Sequence, residues 1–238
     1  MRLKKIIFFL IGILLTPLMV HADDAHEGSL NDLLSQVHHY SRYSYAQLSP
    51  YFTAAGLSYA PKKLALLIFK KTKRLELWGS RGDGVWHHVK DYPILAASGG
   101  PGPKLLAFDH QVPEGIYHIR LLNPDSHFHL SMQVSYPNQF DIMHAERDGR
   151  THLGGDIFIH GSNRSIGCIA IGNDAINQLF VLAFYTGIKN ILVIIAPNDL
   201  RSEPPFVDHH HASPAWLPEL YQRIKQALQP FKKPSHAH

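Results

Sequence analysis

The spacing of apolar and polar positions changes along the chain and predicts a β-rich centre between helical ends. Leu30, Leu33, Leu34 and Val37 recur at helical spacing, so residues 28–56 are predicted to be partly helical. Residues 64–69 are continuously apolar, as expected for a strand buried on both faces. Further short strands are predicted at residues 74–78, 85–90, 92–98, 115–122, 128–135, 156–160, 168–171 and 191–195.

Strict alternation gives the clearest strand signal, at residues 128–135. Phe128, Leu130, Met132 and Val134 share one face, and polar residues occupy the positions between them. The turn sequence at residues 123–126 predicts a hairpin between this strand and the preceding one. The glycine-containing segment 80–84 predicts a second hairpin, which joins residues 74–78 to residues 85–90.

Two amphipathic helices are predicted towards the C-terminal end. Asn173 is suited to be the N-cap of the first helix and Gly187 its C-cap, with apolar residues at helical spacing between them. The second helix is predicted to start at Ser213 and Pro214, because a capping residue followed by proline is typical of a first turn. Both apolar stripes are interpreted as core packing rather than as parts of a site.

Residues 1–22 have the layout of a secretory leader. Arg2, Lys4 and Lys5 precede an apolar run, and the segment ends at Ala22, a small residue of the kind that signal peptidase prefers. The run is shorter than the ~20 residues that a spanning helix needs, so a cleaved leader is predicted and an uncleaved anchor is the alternative. The protein is therefore expected to be exported to the periplasm, without stable membrane insertion after cleavage.

The patterns divide the chain into four predicted segments. A signal peptide (1–22) precedes a partly helical extension (23–61), a main domain (62–197) and a C-terminal extension with a helix (198–238). These patterns leave the oligomeric state open.

Charge and histidine content exclude some partners. The net charge is +4, and removal of the three leader cations leaves it near +1, without a cluster of Lys and Arg. Nucleic acid is therefore not an expected partner. The chain has eighteen histidines, and the paired ones, such as His209, His210 and His211, are interpreted as surface residues. No second ligand group with zinc-site spacing accompanies the cluster at residues 208–211. Neither a metal nor an organic cofactor is expected, although a metal carrier is one alternative class.

The candidate chemistry lies in residues 160–168. Cys168 is the only cysteine of the chain, so it cannot form an intramolecular disulfide. His160 precedes it by eight positions, across a segment of small and polar residues. A predicted strand ends at His160 and another starts at Cys168, so the two side chains can meet and His160 can take the thiol proton.

The loop between these residues can also supply hydrogen-bond donors. The backbone N–H groups of Gly167 and Cys168 are predicted to point at the oxygen of an attacked carbonyl, as an oxyanion hole. The imidazole still needs a partner that fixes its tautomer. Because the loop contains no acidic residue, a backbone carbonyl or a serine hydroxyl must serve.

The order His-Gly, then Ser-x-Gly-Cys, resembles the signature of the YkuD-type L,D-transpeptidases. Upstream blocks are similar as well, and the short spacing between histidine and cysteine resembles the YafK-like branch. The upstream blocks are Gly102-Pro103-Lys104, Gln111-Val112-Pro113-Glu114-Gly115-Ile116-Tyr117, Asn123-Pro124 and Ser135-Tyr136-Pro137-Asn138. The resemblance covers roughly residues 62–196 and implies a mostly β (α+β) fold, a sandwich or barrel with flanking helices.

The resemblance also implies an activity. Cys168 would attack an L,D-amide in a peptidoglycan stem peptide of the diaminopimelate type, and His160 would transfer the proton. The backbone carbonyl of Gly161 would orient the imidazole, and the Gly167 N–H would serve the oxyanion. An amine would then resolve the thioester, which is transpeptidation. The alternative is hydrolysis by water at the same site, which would cut a crosslink or a stem-peptide end or release a wall-attached protein.

Three further residues are candidates for substrate binding. Many family members carry Arg or Asn two residues after the cysteine, whereas this chain has Ala170. Arg164 is the predicted substitute cation for a stem-peptide carboxylate. Ser165 is expected to shape the loop and Tyr136 to line the cleft. A non-catalytic wall-binding module is the remaining alternative, and the intact His160 and Cys168 pair argues against it.

Overall fold

The computed structural model describes residues 22–207 and 213–233, with side chains described from Leu30 onward. Four α-helices lie in these ranges, namely α1 (Ala22–Ala54), α2 (Gln139–Arg147), α3 (Asn173–Thr186) and α4 (Leu217–Leu228). The strands are β1 (Lys63–Phe69), β2 (Arg74–Ser80), β3 (His87–Pro93), β4 (Ala96–Ala97), β5 (Gly115–Ser126), β6 (His129–Val134), β7 (Phe158–His160), β8 (Ile169–Ala170) and β9 (Ile191–Ala196).

The described strands form one curled mixed sheet in the order β3-β2-β1-β9-β5-β6-β7-β8-β4. Most neighbours are antiparallel, but β9 runs parallel to β1 and β8 runs parallel to β7. The strand β9 joins the two halves of the sheet, because it pairs with β1 on one side and with β5 on the other. The strands β7, β8 and β4 form one end of the sheet.

Helices cover both faces of this sheet, which explains the continuous apolar run in β1. Leu64, Leu66 and Ile68 belong to one core cluster, which also contains residues of α1 and α3. The alternate residues of β1 belong to a second cluster, which α4 completes through Leu220 and Ile224. Because strand side chains alternate between faces, a strand covered on both faces needs apolar residues at every position.

The predicted fold class, a mostly β (α+β) sandwich or barrel with flanking helices, is confirmed: the described strands form a curled half-barrel sheet with helices beside it. Helices and strands are both abundant among the described residues, and the 33-residue helix α1 supplies much of the helical share. The alternating residues Leu130, Met132 and Val134 are buried in β6 as predicted. Gly187 is the C-cap of α3, which is also as predicted.

Several predicted boundaries were wrong. Helix α4 begins at Leu217 rather than at Ser213, with proline in its first turn. Strand β5 continues through the predicted turn at residues 123–126 before the chain reverses into β6. Helix α2 was not predicted, because its apolar residues show no clear period; its start is defined by a local capping box between Asn138 and Asp141.

Two predictions lie outside the described residues. The leader predicted over residues 1–22 is described only at Ala22, and the histidines at positions 209–211 fall in the gap between residues 207 and 213. None of the helices in the described ranges combines the length and apolarity that crossing a bilayer requires.

Candidate active site

The candidate site lies on the end of the sheet formed by β7, β8 and β4, with β8 in the middle. His160 is paired with Ala170, and Ile159 with Ile169, in the parallel ladder between β7 and β8. Ile159 and Ile169 point into the core. Since side chains alternate along a strand, His160 and Cys168 project from the opposite face. The structure therefore brings the two predicted residues onto one face of adjacent strands, offset by two positions in register.

The thiol of Cys168 is partly exposed and contacts backbone groups of the strand beside it. Its sulfur accepts a hydrogen bond from the Phe158 N–H at 3.4 Å and donates one to the Asp156 carbonyl at 3.5 Å. Burial raises the pKa of the Cys168 thiol, and the negative charge of Asp156 raises it further. The Phe158 N–H and the positive charge of Lys104 act in the opposite direction.

The imidazole of His160 is buried, with 1% of its surface exposed. Its Nδ1 donates a hydrogen bond of 2.6 Å to the Gly161 carbonyl oxygen, since a carbonyl can only accept. Nε2 is then the nitrogen without a proton in the neutral ring. The ring of Phe128 lies 4.8 Å from the imidazole, centroid to centroid, and contributes to its burial. Burial lowers the pKa of His160, an effect that the Gly161 hydrogen bond partly offsets.

These directions describe an uncharged pair of side chains. A lowered histidine pKa and a raised cysteine pKa both disfavour an imidazolium next to a thiolate. Among the described residues, the hydrogen-bond partners of the thiol are Asp156 and Phe158 rather than His160. The arrangement is therefore suited to a proton transfer that accompanies attack on a substrate, with His160 Nε2 as the acceptor.

The loop between His160 and Cys168 is closed by Ser165. The Ser165 hydroxyl accepts a hydrogen bond of 2.9 Å from the Cys168 N–H and donates one of 2.6 Å to the Cys168 carbonyl. This double contact fixes the start of β8 against the loop. Since the Ser165 hydroxyl uses its proton and a lone pair on the Cys168 backbone, these contacts indicate that it stabilises the loop rather than contacts a substrate.

Asn173 holds the other end of the loop. It was expected to cap α3, but the N-cap position is occupied by Gly172. The Asn173 side chain instead accepts a hydrogen bond of 2.8 Å from the Ser162 N–H, directly after the His160–Gly161 pair. A Cβ atom at Gly161 would lie 2.6 Å from Asn173 Oδ1 and 2.7 Å from the Phe128 carbonyl oxygen. The position after the histidine therefore has no room for a side chain.

Both backbone N–H groups of the predicted oxyanion hole already have hydroxyl partners. The Cys168 N–H donates to Ser165, and the Gly167 N–H donates to the hydroxyl of Ser98, which follows β4. Ser98 was missed at the sequence level, because nothing in the local pattern distinguishes it. Its position becomes evident only from the antiparallel pairing of Ala97 with Ile169, which puts Ser98 opposite Cys168.

The remaining predicted residues occupy different surroundings. Arg164 is exposed on the loop and makes no ion pair among the described residues, so it is available to a ligand. Tyr136 is only 4% exposed, and its hydroxyl donates to the carbonyls of Lys104 and Leu153 at 3.3 Å. This corrects the expectation that Tyr136 lines the cleft, because the residue supports neighbouring segments from inside. Ala170 is fully buried.

A buried lysine contributes to the electrostatics of the site. Lys104 is 6% exposed, and its ammonium group forms an ion pair of 2.6 Å with Asp109 and donates to the Leu106 carbonyl. Its charge lowers the pKa of Cys168. Lys104 stands in the Gly-Pro-Lys block at residues 102–104, which was the signal that could have identified it. The described residues contain no group of three or more His, Cys, Asp or Glu side chains able to hold a metal ion.

Part of the chain is similar in sequence to a known family of catalytic domains and to curated proteins. Residues 64–183 match the family model YkuD, the L,D-transpeptidase catalytic domain. YafK of Escherichia coli strain K12 is 34% identical over 122 residues, and YafK of strain O157:H7 gives the same identity over the same length. The match covers 50% of this chain and 46% of each YafK chain, so it spans about half the length of these curated relatives.

Solved structures show weaker similarity. Bd1075 of Bdellovibrio bacteriovorus is 21% identical, with a TM-score of 0.42, and the match covers 71% of this chain and 55% of that chain. The helical cell shape determining protein Pgp2 of Campylobacter jejuni is 25% identical, with a TM-score of 0.45, and the match covers 58% and 48% of the two chains. Both TM-scores are below 0.5.

Proposed function

Since the chain belongs to the YkuD family of L,D-transpeptidase catalytic domains, we propose that it is an exported L,D-transpeptidase that acts on peptidoglycan stem peptides. The observation that carries this proposal is the arrangement of His160 and Cys168. They lie on one face of adjacent strands, and the Gly161 carbonyl holds Nδ1 so that Nε2 is the basic nitrogen.

The first half of the reaction forms a thioester. His160 Nε2 takes the thiol proton while Cys168 Sγ attacks the carbonyl carbon of an L,D-amide, and the carbonyl electron pair moves onto oxygen. Collapse of this intermediate breaks the C–N bond. The proton on His160 then passes to the nitrogen of the leaving amine, which departs with the D-amino acid. The acyl half of the stem peptide remains on Cys168.

The second half reverses these roles. An acceptor amine attacks the thioester, and His160 removes the proton of that amine. The C–S bond then breaks, and His160 returns the proton to the departing sulfur, which restores the thiol. The product is a new amide, which is the outcome of transpeptidation. If water attacks instead, the same steps give a carboxylic acid and the protein is a hydrolase. The acyl-enzyme is common to both reactions, so the choice depends on which nucleophile reaches the thioester.

The charge distribution near the loop supports an anionic substrate. Arg164 is exposed and without an ion pair among the described residues, so its guanidinium can bind a carboxylate in a bidentate manner. Stem peptides of the diaminopimelate type carry such carboxylates. We propose that Arg164 takes over the substrate contact of the Arg or Asn that many family members carry two residues after the cysteine, where this chain has Ala170.

Incubation of the purified protein with muropeptides, with and without an acceptor amine, tests the proposal. We expect crosslinked or amine-exchanged products by mass spectrometry, and no products with Cys168→Ala. Shortened products alone, at every acceptor concentration, would assign the hydrolase function. If muropeptides remain unchanged and a carbapenem leaves no adduct on Cys168 by intact mass, the protein is not an acyl-transfer enzyme.

Export is a separate part of the proposal and has its own test. The layout of residues 1–22 supports a cleaved leader. Expression of the full chain in a Gram-negative host, followed by mass analysis of the periplasmic fraction, should give a protein that begins at Asp23. Recovery of the full-length chain from the membrane fraction would identify an uncleaved anchor instead.

A further inference from the structure

The hydroxyl of Ser98 lies next to the predicted oxyanion hole, although the proposed reaction assigns it no part. It accepts the hydrogen bond of the Gly167 N–H, which is one of the two expected oxyanion donors. Ser98 follows β4 directly, and the pairing of Ala97 with Ile169 sets Ser98 opposite Cys168 across the ladder between β4 and β8. Ala97 packs against the same core as Ile169, so Ser98 projects from the face that carries Cys168.

The three strands therefore present three functional groups in a row. Cys168 directly precedes the central strand β8, with His160 on β7 to one side and Ser98 after β4 to the other. A thiol that attacks a carbonyl needs a base on the side where its proton leaves and a donor where the carbonyl oxygen lies. His160 is placed to act as the base, and Ser98 is placed to act as the donor to the carbonyl oxygen.

The hydroxyl of Ser98 is able to donate a hydrogen bond to a substrate. Its oxygen accepts from the Gly167 N–H, and its own hydroxyl proton has no acceptor among the described residues. A hydroxyl that already accepts a hydrogen bond becomes a better donor, because the two bonds polarise each other. The residue is also held in place, since its carbonyl accepts a hydrogen bond of 3.4 Å from the Val112 N–H.

We propose that Ser98 is a further catalytic residue, whose hydroxyl donates to the oxyanion while the Gly167 N–H donates to that hydroxyl. This inference rests on the proposed acyl transfer at Cys168. Gly167 then acts through Ser98 rather than on the substrate oxygen directly. When the sulfur attacks, the carbonyl electron pair moves onto the oxygen that Ser98 faces, and it returns to re-form the C=O bond as the leaving group departs.

The test compares two reactions of the same thiol. Acylation of Cys168 by p-nitrophenyl acetate passes through an oxyanion and releases p-nitrophenolate, whereas alkylation by iodoacetamide forms a C–S bond by direct displacement of iodide, without an oxyanion. We expect Ser98→Ala to slow acylation about tenfold or more. It should leave the rate of alkylation close to that of the unmodified protein. Ser98→Thr retains a hydroxyl and should keep most of the acylation rate, and Cys168→Ala gives the background of each assay.

The outcomes separate this inference from the proposed function. Equal acylation rates for Ser98→Ala and the unmodified protein would overturn the role of Ser98, even if muropeptides are crosslinked. A parallel fall of acylation and alkylation would also overturn it, because Ser98 would then only maintain the structure around the thiol. If the ester acylates Cys168 in a Ser98-dependent manner but muropeptides stay intact, the donor role stands and the proposed substrate is wrong.

Discussion

His160 Nδ1 donates a 2.6 Å hydrogen bond to the carbonyl of Gly161, the residue that follows it in the chain. This contact fixes the tautomer of the imidazole through the backbone of the next residue, without a carboxylate partner. Burial lowers the pKa of His160 below its ordinary value, and the hydrogen bond to Gly161 offsets this only in part. The base of the site is therefore neutral over most of the physiological pH range.

The pH dependence of acylation follows from this state. Protonated His160 cannot accept the thiol proton, so we expect the rate of acylation by p-nitrophenyl acetate to fall on acidification, with a midpoint below about 6.5. His160→Ala should remove this limb and slow the reaction at neutral pH. The residual rate should rise with pH towards the raised pKa of Cys168. An acid limb that is the same in both proteins would show that His160 is not the base.

Substitution of Gly161 should disrupt the site, because any side chain at this position would clash with its neighbours. A Cβ atom there would collide with the Phe128 carbonyl and with Asn173, which holds the loop. We expect Gly161→Ala to lower the free energy of unfolding by about 1–3 kcal/mol, as overpacked positions do, and to abolish most of the acylation. Gly155→Ala is the matched control, because a Cβ atom there meets nothing within 4 Å. Denaturant unfolding and ester acylation measure the two effects, and equal behaviour of both variants would contradict this account.

Removal of the Ser165 hydroxyl should loosen the loop. Ser165→Ala leaves the Cys168 N–H and carbonyl without their side-chain partner. We expect a loss of about 1 kcal/mol in unfolding free energy per hydrogen bond removed, together with slower acylation. Ser162→Ala serves as the control, since the hydrogen bonds of Ser162 in the described residues come from its backbone: its N–H donates to Asn173 and its carbonyl accepts from the Gly172 N–H. Ester acylation that is unaffected by Ser165→Ala would assign Ser165 no part in positioning Cys168.

Asp141 should make the stability of the protein depend on pH. Burial raises the pKa of this carboxyl to about 6, although it accepts hydrogen bonds from Asn138 and Tyr117. The folded chain thus binds this proton more tightly than the unfolded chain, whose value is about 3.9. The contribution of Asp141 to stability is therefore present below about pH 4 and is lost as the pH rises to about 6.

Comparison of Asp141→Asn with the exposed control Asp125→Asn measures this effect. A difference of about two pKa units corresponds to about 3 kcal/mol of unfolding free energy over the window. We expect Asp141→Asn to flatten the decline in unfolding free energy between pH 4 and pH 6, as determined by denaturant titration at each pH. Parallel curves for the unmodified protein and Asp141→Asn would refute the assignment.

Patterns that depend on local spacing were predicted well from the sequence. The apolar run of β1, the alternation in β6 and the glycine cap of α3 each reflect a period or a single residue preference, so they are visible without knowledge of the fold. His160 and Cys168 were found because their residue types are unusual in combination. Their arrangement on one face then followed from the two short strands, one of which ends at His160 and the other of which begins directly after Cys168.

Features that depend on long-range pairing could not be predicted in the same way. Ser98 lies far from Gly167 in the sequence, and only the pairing of β4 with β8 brings the hydroxyl to the backbone N–H. Asn173 has the residue type of a helix cap, but the nearby loop offers the Ser162 N–H as a competing donor. Tyr136 looked suited to a cleft, yet its hydroxyl finds two carbonyls in the interior.

Strand β9 lies between β1 and β5 in the sheet, but it is synthesised after both of them. The hairpin of β1 and β2 and the strands from β5 to β8 all leave the ribosome before the segment that joins them. Until residue 196 has been synthesised, each part carries an unpaired strand edge of the kind that promotes aggregation. A nonsense mutation shortly before Ile191 would therefore release two incomplete sheets, although it would spare both His160 and Cys168.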